Sequence, residues 1–299
     1  MIVRFLFVIY CLLSLASCSE TEIPSYTESS LYVFGDSLSD VGNANIASAG
    51  LIPDRNYFAG RFSNGPLYAD QLAVILKTAM KPSRSYGSNY AFAGANSNVI
   101  NAQVSNYKAN VNDSADPDAR YIIWSGANDL LDLVKTPVSD PTTTIDTAIA
   151  HIKNAIRKLS SINASQIFVI NQINLAHLPR VIQLDTDLAN SISLASQLST
   201  QFNSALQTML DSLNTEENIM TTSIDVFTLF EDVVANPENY NLTSVTDACY
   251  TRDESEFELT GNETICANPD EYLFWDSLHP TTIGHTILTS HINQSFSAN

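Results

Sequence analysis

Five short apolar runs recur along the chain, and longer stretches with a helical spacing of apolar residues lie between them. The runs are mostly apolar on both faces, which is typical of strands buried inside a parallel sheet. They cover residues 31–34, 89–93, 121–125, 166–170 and 219–224. The stretches with helical spacing include 67–76, 145–159 and 188–213. Strands that alternate with helices predict a three-layer α/β/α sandwich around a mainly parallel five-stranded sheet.

Polar residues follow the ends of these predicted strands. The first three strands are followed by "GDSLSD", "AGANS" and "GANDL", and the fourth by "NQINLAHLPR". Loops that leave the carboxyl ends of parallel strands meet at one edge of the sheet, where ligand sites form. We therefore expect a functional site at this edge, built from residues of several loops.

The first residues have the layout of an export signal. Arg4 precedes an apolar run over 5–16, which is too short to span a bilayer, and small residues follow. We expect a signal peptide over 1–18 and one domain over 19–299, in a protein that is secreted, periplasmic or associated with the outer membrane. The stretch "LASC" also resembles the lipobox of bacterial lipoproteins, so an outer-membrane lipoprotein acylated at Cys18 is the alternative.

The charge balance narrows the range of partners. Acidic residues outnumber basic ones by 32 to 14, which gives a net charge of -18. The phosphate backbone of a nucleic acid would be repelled over most of such a surface, so we expect no nucleic-acid partner. The sequence contains no C-x-x-C pair, H-E-x-x-H motif, EF-hand loop or glycine-rich phosphate loop, and we expect neither a metal nor a cofactor.

Two of the four cysteines lie in the predicted signal or at its edge. The other two, Cys249 and Cys266, would be joined in an oxidising compartment, so export predicts a disulfide between them. Two unrelated free thiols are the alternative. The two cysteines enclose an acidic loop over 249–266 shortly before Asp276.

Four short motifs together resemble the GDSL, or SGNH, hydrolases. "FGDSLSD" is similar to the first block of that family, "NYAFAGA" to its glycine block, "GAND" to its asparagine block and "DSLHPT" to its terminal Asp-x-x-His block. The motifs follow the order of the family through most of the chain after the signal. The resemblance implies the flavodoxin-like SGNH hydrolase fold and a carboxylic ester hydrolase that works without a cofactor.

The resemblance also implies a role for each motif residue. Ser37 attacks the ester, His279 takes its proton and Asp276 orients the imidazole, because a serine hydroxyl is a poor nucleophile without a base and a group that holds the base. The backbone N–H groups of Ser37 and Gly94 and the side-chain amide of Asn128 form the oxyanion hole. We expect Ser37 at the start of a helix, where free N–H groups favour negative charge.

Some of these residues have simpler interpretations. Ser37 after an aspartate could be an N-cap, Asn128 could belong to an ordinary turn, and Gly87 or Gly126 could take the place of Gly94. The aspartates near the motifs are interpreted as structural hydrogen-bond partners: Asp36, Asp40 and Asp129.

Five histidines are candidates for the base. His279 alone has an aspartate at the family spacing. His151 and His291 fall in helical stretches and His285 in the last predicted helix, so we interpret these three as packed or solvated residues. His177 follows a predicted strand and is a candidate substrate contact.

The residues of the longer motifs favour a lipid substrate. "FGDSLSDVGN", "GRFSNGPLYADQLA" and "FWDSLHPTTIGH" resemble the bacterial branch that contains lysophospholipases, thermolabile haemolysins and glycerophospholipid:cholesterol acyltransferases. This branch implies lysophospholipase A or phospholipase A activity at a membrane or micelle surface, with a sterol as a candidate acyl acceptor. A short-chain or carbohydrate acetylesterase is one alternative, and a catalytically silent surface-binding protein is another.

The loop over 249–266 has two interpretations. In some relatives, cleavage within a comparable disulfide loop activates the enzyme, so this loop is a candidate lid opened by an activating protease. A solvated surface loop held by a disulfide is the alternative.

Overall fold

Four parallel strands form the central sheet of the computed structural model, which describes residues 30–252 and 259–296. The strands lie side by side in chain order: β1 (Leu31–Gly35), β2 (Arg120–Trp124), β3 (Gln166–Ile170) and β4 (Thr221–Ile224). All five residues of β1 are buried, as both faces of a parallel sheet must be when helices cover them. The predicted signal over 1–18, including Cys18, lies outside the described residues.

The expected fifth strand, over 89–93, does not form. Its segment runs beside β1 and makes one parallel bridge to Val33, where the Tyr90 N–H donates to the Val33 carbonyl at 2.7 Å. Two residues further along β1, the Gly35 N–H donates to Gln103 Oε1 at 2.9 Å. The Phe92 N–H still donates to the Gly35 carbonyl at 3.0 Å, but the Gly35 N–H is used by the glutamine side chain, so a second bridge is not completed. The prediction of a five-stranded sheet was therefore wrong by one strand.

The helices lie between the strands in the order that the sequence predicts. Within the described residues they are α1 (Asn43–Ala47), α2 (Tyr68–Ile75), α3 (Ser97–Asn110), α4 (Ala127–Lys135), α5 (Thr142–Ser160), α6 (Pro179–Asp187), α7 (Ser191–Glu216), α8 (Val226–Ala235) and α9 (Thr282–Ser295). Helix α5 packs against both α3 and α7, and α2 packs on α9. The three stretches with helical spacing correspond to α2, α5 and α7, which confirms the α/β class.

Helix α5 shows how an apolar stripe builds this fold. The apolar residues of the stripe are all buried: Ile145, Ile149, Ile152, Ile156 and Leu159. Their spacing of three or four residues places them on one face of the helix. Burial of each such side chain contributes about 1.5–3 kcal/mol to folding. Packing of this face, more than helix propensity, therefore holds α5 in place.

A smaller structure precedes the last helix. It consists of two pairs of short strands: β5 (Ser244–Ala248) with β8 (Tyr272–Phe274), and β6 (Tyr250–Thr251) with β7 (Thr264–Ile265). A disulfide joins Cys249 to Cys266 across the second pair, with their Cα atoms 4.8 Å apart. The predicted disulfide is thus present. Residues 253–258, where the predicted lid has its acidic centre, lie outside the described residues.

None of the helices in the described part of the chain is both long enough and apolar enough to cross a membrane.

Candidate active site

Ser37 lies in a tight turn directly after strand β1. The Ser39 N–H donates to the Asp36 carbonyl at 3.1 Å, and the Leu38 N–H donates to Asp36 Oδ1 at the same distance. Residue 35, where the turn begins, has no room for a side chain because strand β2 passes close to it. A Cβ atom on Gly35 would lie 2.2 Å from the Trp124 carbonyl oxygen of the neighbouring strand.

The expectation that Ser37 starts a helix was wrong, because the next helix, α1, begins six residues later. Asp40 sets that start by accepting hydrogen bonds from the N–H groups of Asn43 and Ala44. The same carboxylate accepts the Ala93 N–H at 3.0 Å. Asp40 therefore ties the turn after β1 to the segment that contains Gly94. The backbone N–H groups around Ser37 belong to a turn rather than to a helix terminus.

The other two aspartates of this region also accept backbone hydrogen bonds. Asp129 accepts the Ser97 N–H at 2.8 Å and the Ser97 hydroxyl at 2.7 Å. Asp36 is completely buried, and burial raises its pKa to about 7, although the Leu38 N–H and the nearby His279 act in the opposite direction. Its second oxygen, Oδ2, is buried without a hydrogen-bond partner among the described residues.

Three side chains from opposite ends of the chain meet in a hydrogen-bonded series. Ser37 Oγ lies 2.8 Å from His279 Nε2, and His279 Nδ1 lies 2.7 Å from Asp276 Oδ2. Asp276 also accepts the N–H groups of Leu278 and His279 through Oδ1, at 2.8 and 2.7 Å. The short loop between β8 and α9 therefore holds acid and imidazole in one orientation.

Asp276 is held as a carboxylate in this series. Its burial opposes ionisation, but the imidazole of His279 and hydrogen bonds from His279, Tyr57 and Leu278 outweigh burial and lower its pKa. A stable negative charge beside Nδ1 favours the tautomer in which Nδ1 carries the proton and Nε2 accepts. The geometry allows Nε2 to take a proton from Ser37.

Asn128 lies at the start of α4, next to this series. Its amide nitrogen donates to the Ala95 carbonyl at 3.0 Å, which orients the side chain and leaves a second N–H for another acceptor. Ser37, Asn128 and His279 all line one narrow cavity of about 30 Å³. The structure therefore brings these three predicted residues together.

Gly94 lies close to this region but does not line that cavity. Its φ is +74°, which favours glycine, and no heavy atom lies within 4 Å of the place where a Cβ would be. The competing glycines have packing roles instead. A Cβ on Gly126 would lie 2.4 Å from the Phe202 ring, and one on Gly87 would lie 2.1 Å from the Lys81 carbonyl.

A larger cavity of about 440 Å³ opens on the other side of His279. Its lining is mainly apolar and includes Leu51, Ile52 and Phe62, with the ring of Phe62 5.1 Å from the imidazole. Leu51 is 63% exposed. Arg252, paired with an aspartate, gives the cavity a charged end.

The remaining histidines lie away from this series. His177 Nε2 lies 2.8 Å from Glu231 Oε1, and the residue lines neither cavity. His285 is completely buried, and burial, followed by the charge of His279, lowers its pKa to about 3. It therefore packs as a neutral ring.

Sequence reasoning missed Tyr57. Its hydroxyl donates to Asp276 Oδ2 at 2.6 Å, although the two residues are 219 positions apart. Tyr57 lies in an irregular segment between α1 and α2, where no motif or periodicity marks it. Within the described ranges, no group of three or more His, Cys, Asp or Glu side chains could hold a metal ion.

An α/β sheet with a serine, an imidazole and a carboxylate in hydrogen-bonded series at one edge has the arrangement of a serine hydrolase. Residues 31–292 match the family of GDSL-like lipases and acylhydrolases. The chain belongs to this family, which implies the activity of a carboxylic ester hydrolase.

The proteins that resemble this chain carry several different names. A GDSL esterase/lipase of Arabidopsis thaliana is 28% identical, over 84% of this chain and 78% of its own length. A second protein of the same plant, named an inactive GDSL esterase/lipase-like protein, is 26% identical over 84% of this chain and 67% of its own. The structure of an acetylxylan esterase from Geobacillus stearothermophilus covers 89% of this chain and 92% of its own, with a TM-score of 0.51 and 16% identity. This last similarity supports the fold alone.

Proposed function

We propose that the protein hydrolyses carboxylic esters of lipids, with Ser37 as nucleophile, His279 as general base and Asp276 as the group that orients His279. The observation that carries this proposal is the 2.8 Å contact between Ser37 Oγ and His279 Nε2. A general base must lie within hydrogen-bond reach of the proton that it removes, and this distance meets that requirement.

In the first step, Ser37 Oγ attacks the ester carbonyl carbon while its proton moves to His279 Nε2. The imidazolium that forms is stabilised by Asp276, which already accepts from Nδ1 at 2.7 Å. The negative charge that develops on the carbonyl oxygen requires donors aimed at it. Asn128 Nδ2 and the backbone N–H groups of Ser37 and Gly94 would supply them.

In the second step, the bond between the carbonyl carbon and the leaving alkoxide breaks, and His279 Nε2 returns the proton to the leaving oxygen. Ser37 then carries the acyl group. Water, deprotonated by His279 Nε2, then attacks the carbonyl carbon of this ester. The bond from that carbon to Ser37 Oγ breaks, the acid is released, and Ser37 Oγ takes the proton back from His279. An alcohol in place of water would give a new ester, so the same residues would support transfer to a sterol acceptor.

The larger cavity favours a lipid substrate. It offers about 440 Å³ of mainly apolar space directly beside His279. Leu51 and Ile52 at its edge are exposed apolar residues that would lie against a membrane or micelle surface. One such cavity suits the single acyl chain of a lysophospholipid, and we therefore propose lysophospholipase A activity before phospholipase A activity.

A short-chain esterase is the second candidate. The cavity that Ser37, Asn128 and His279 line has a volume of only about 30 Å³. If the acyl group must enter this cavity, an acetyl group fits better than a fatty acyl chain. The alcohol part of the substrate would then occupy the larger cavity.

Export and a lid remain part of the proposal. The disulfide between Cys249 and Cys266 suits an oxidising compartment, in agreement with a signal over 1–18 and with either release or acylation of Cys18. Tyr250, Thr251 and Arg252 line the larger cavity. We therefore propose that the loop over 249–266 acts as a lid on this cavity, which an activating protease opens.

The test measures hydrolysis of lysophosphatidylcholine, diacyl phosphatidylcholine and p-nitrophenyl esters from acetate to palmitate, with and without cholesterol. Ser37→Ala and His279→Ala should each lower kcat by more than about 1,000-fold. His291→Ala, on the last helix, is the matched control and should keep full activity. Preference for lysophosphatidylcholine supports the lipid proposal, whereas activity confined to acetate supports the second candidate. Full activity of Ser37→Ala would overturn both.

A further inference from the structure

Asp276 accepts a hydrogen bond from a residue that no motif contains. Its Oδ2 receives His279 Nδ1 and, at 2.6 Å, the hydroxyl of Tyr57. Its Oδ1 receives the N–H groups of Leu278 and His279 and also lies 2.9 Å from His279 Nδ1. Among the described hydrogen bonds to this carboxylate, Tyr57 provides the donor from outside the 276–279 loop.

Tyr57 is itself held firmly by aromatic neighbours. Its ring meets the ring of Tyr250 edge-on, with centroids 5.5 Å apart, and the ring of Trp275 at 6.4 Å. Tyr250 and Trp275 stack on each other at 5.4 Å. Edge-on and stacked pairs of this kind each contribute beyond their buried area. The position of the Tyr57 hydroxyl is therefore set by the residue before Asp276 and by strand β6.

Polar contacts attach the same segment to the disulfide-linked strands. The Tyr250 hydroxyl donates to Asp54 Oδ2 at 3.0 Å, and Asn56 Nδ2 donates to the Tyr250 hydroxyl at 3.1 Å. Arg252 Nη1 lies 2.9 Å from the same oxygen of Asp54. The segment directly before Tyr57 is thus attached to the disulfide-linked strands through Asp54 and Asn56.

We propose that Tyr57 is a positioning residue for ester hydrolysis, which fixes Asp276 Oδ2 so that His279 keeps Nε2 directed at Ser37. This inference rests on the proposed function of the three residues. The backbone donors hold Oδ1, and without Tyr57 the other oxygen would be held by the imidazole alone. Oδ2 of Asp276 would then follow the movements of the His279 ring instead of fixing the orientation of that ring.

Tyr57 is suited to this role because it stays protonated. Burial, and then the charge of Asp276, raise its pKa, so the hydroxyl remains a neutral donor. A neutral donor fixes the carboxylate without supplying a positive charge that would compete with the imidazolium.

The test compares Tyr57→Phe with Tyr240→Phe. Tyr240 also donates its hydroxyl to an aspartate, Asp232 Oδ2 at 2.5 Å, but it lies after helix α8 and lines neither cavity beside His279. Tyr57→Phe keeps the ring that lines the larger cavity, so KM should stay within about twofold while kcat falls about tenfold, the effect of losing one hydrogen bond to a charged group. Tyr240→Phe should leave both constants unchanged.

A double-mutant cycle separates positioning from a merely structural role. In an Asp276→Ala background there is no carboxylate to orient, so Tyr57→Phe should change kcat by less than about twofold. The low-field proton resonance of the His279 Nδ1–H, which is observable whatever the turnover, should move in Tyr57→Phe and not in Tyr240→Phe. Thermal unfolding of each variant shows that it is folded.

Two results would overturn the positioning role: a kcat of Tyr57→Phe within twofold of the wild type with an unmoved resonance, or the same tenfold loss in the Asp276→Ala background. Both differ from failure of the proposed function, which would appear as activity in Ser37→Ala or His279→Ala. If those two variants are inactive and Tyr57→Phe is normal, only the role of Tyr57 is lost.

Discussion

The two halves of the candidate active site are held in different ways. Ser37 follows the buried strand β1, and backbone groups hold its turn through Asp36 and Asp40. The loop that carries His279 follows β8, which belongs to a two-stranded sheet outside the central one. The nucleophile therefore follows a strand of the central sheet, whereas the base follows a strand that lies outside that sheet.

Side chains from a distant segment hold the His279 loop. The Ser63 hydroxyl donates to the Pro280 carbonyl at 2.9 Å, and the Thr282 N–H donates to Asn64 Oδ1 at 2.7 Å. Tyr57, from the same segment, binds Asp276. This difference predicts that substitutions near Ser37 lower both the free energy of unfolding and the activity. Substitutions near His279 should alter the activity with a smaller effect on the free energy of unfolding.

The largest expected effect on stability is at Gly35. Gly35→Ala places a methyl group 2.2 Å from the Trp124 carbonyl oxygen, so β1 and β2 must separate. We expect a loss of about 4 kcal/mol in the free energy of unfolding, with esterase activity lost in parallel, because overpacking against backbone cannot be relieved by a rotamer change. Urea denaturation followed by circular dichroism measures it.

Gly50→Ala is the control for this change. Gly50 also has a positive φ, +89°, but no heavy atom lies within 4 Å of its Cβ position. Gly50→Ala should lower the free energy of unfolding by only about 1 kcal/mol, the cost of the left-handed conformation for a residue with a side chain. Equal losses at the two positions would show that the close contact between β1 and β2 is not what requires glycine.

Removal of the disulfide should have the next largest effect. Replacement of Cys249 and Cys266 by serine should lower the free energy of unfolding by about 3 kcal/mol in the chain-entropy account. Since the Trp275 carbonyl accepts the Tyr250 N–H at 2.5 Å, kcat should also fall in the variant that remains folded. Steady-state kinetics at a temperature well below unfolding measure this. Unchanged kcat would show that the His279 loop does not depend on the hairpin.

The last effect concerns Asp36 and depends on pH, so it is small near pH 4 and grows as the pH rises. Folding raises its pKa to about 7, from about 3.9 in an unfolded chain. Between these values the folded protein binds more protons than the unfolded chain, so its stability falls as pH rises and the full penalty is present above about pH 7. Asp36→Asn keeps an acceptor for the Leu38 N–H. As the pH rises through this window, its free energy of unfolding should increase relative to that of the wild type by at most about 1.4 kcal/mol per pH unit.

Urea unfolding at several pH values between about 4 and 8 checks the prediction for Asp36. Asp187→Asn, an exposed change at the end of helix α6, is the surface control. A constant difference between Asp36→Asn and wild type over the whole range would contradict the raised pKa.

Local patterns were sufficient for much of the fold. The apolar spacing of 145–159 predicts α5, and three strands are predicted by the apolar runs at 31–34, 121–125 and 166–170. Both patterns are local because the residues that share a buried face recur at the period of the helix or strand that carries them. The expected strand at 89–93 failed because Gln103, fourteen residues after its start, takes the hydrogen bond of Gly35. No local period records such a contact.

The sequence by itself determined the α/β class, the family and the residues that meet at the site, since Ser37, Asn128, Asp276 and His279 lie in motifs whose spacing is local. Only the tertiary structure decided that Ser37 lies in a turn held by Asp36 and that Tyr57 holds Asp276. Short motifs arise from the geometry of neighbouring residues, whereas these contacts join segments that come together only when the whole chain packs.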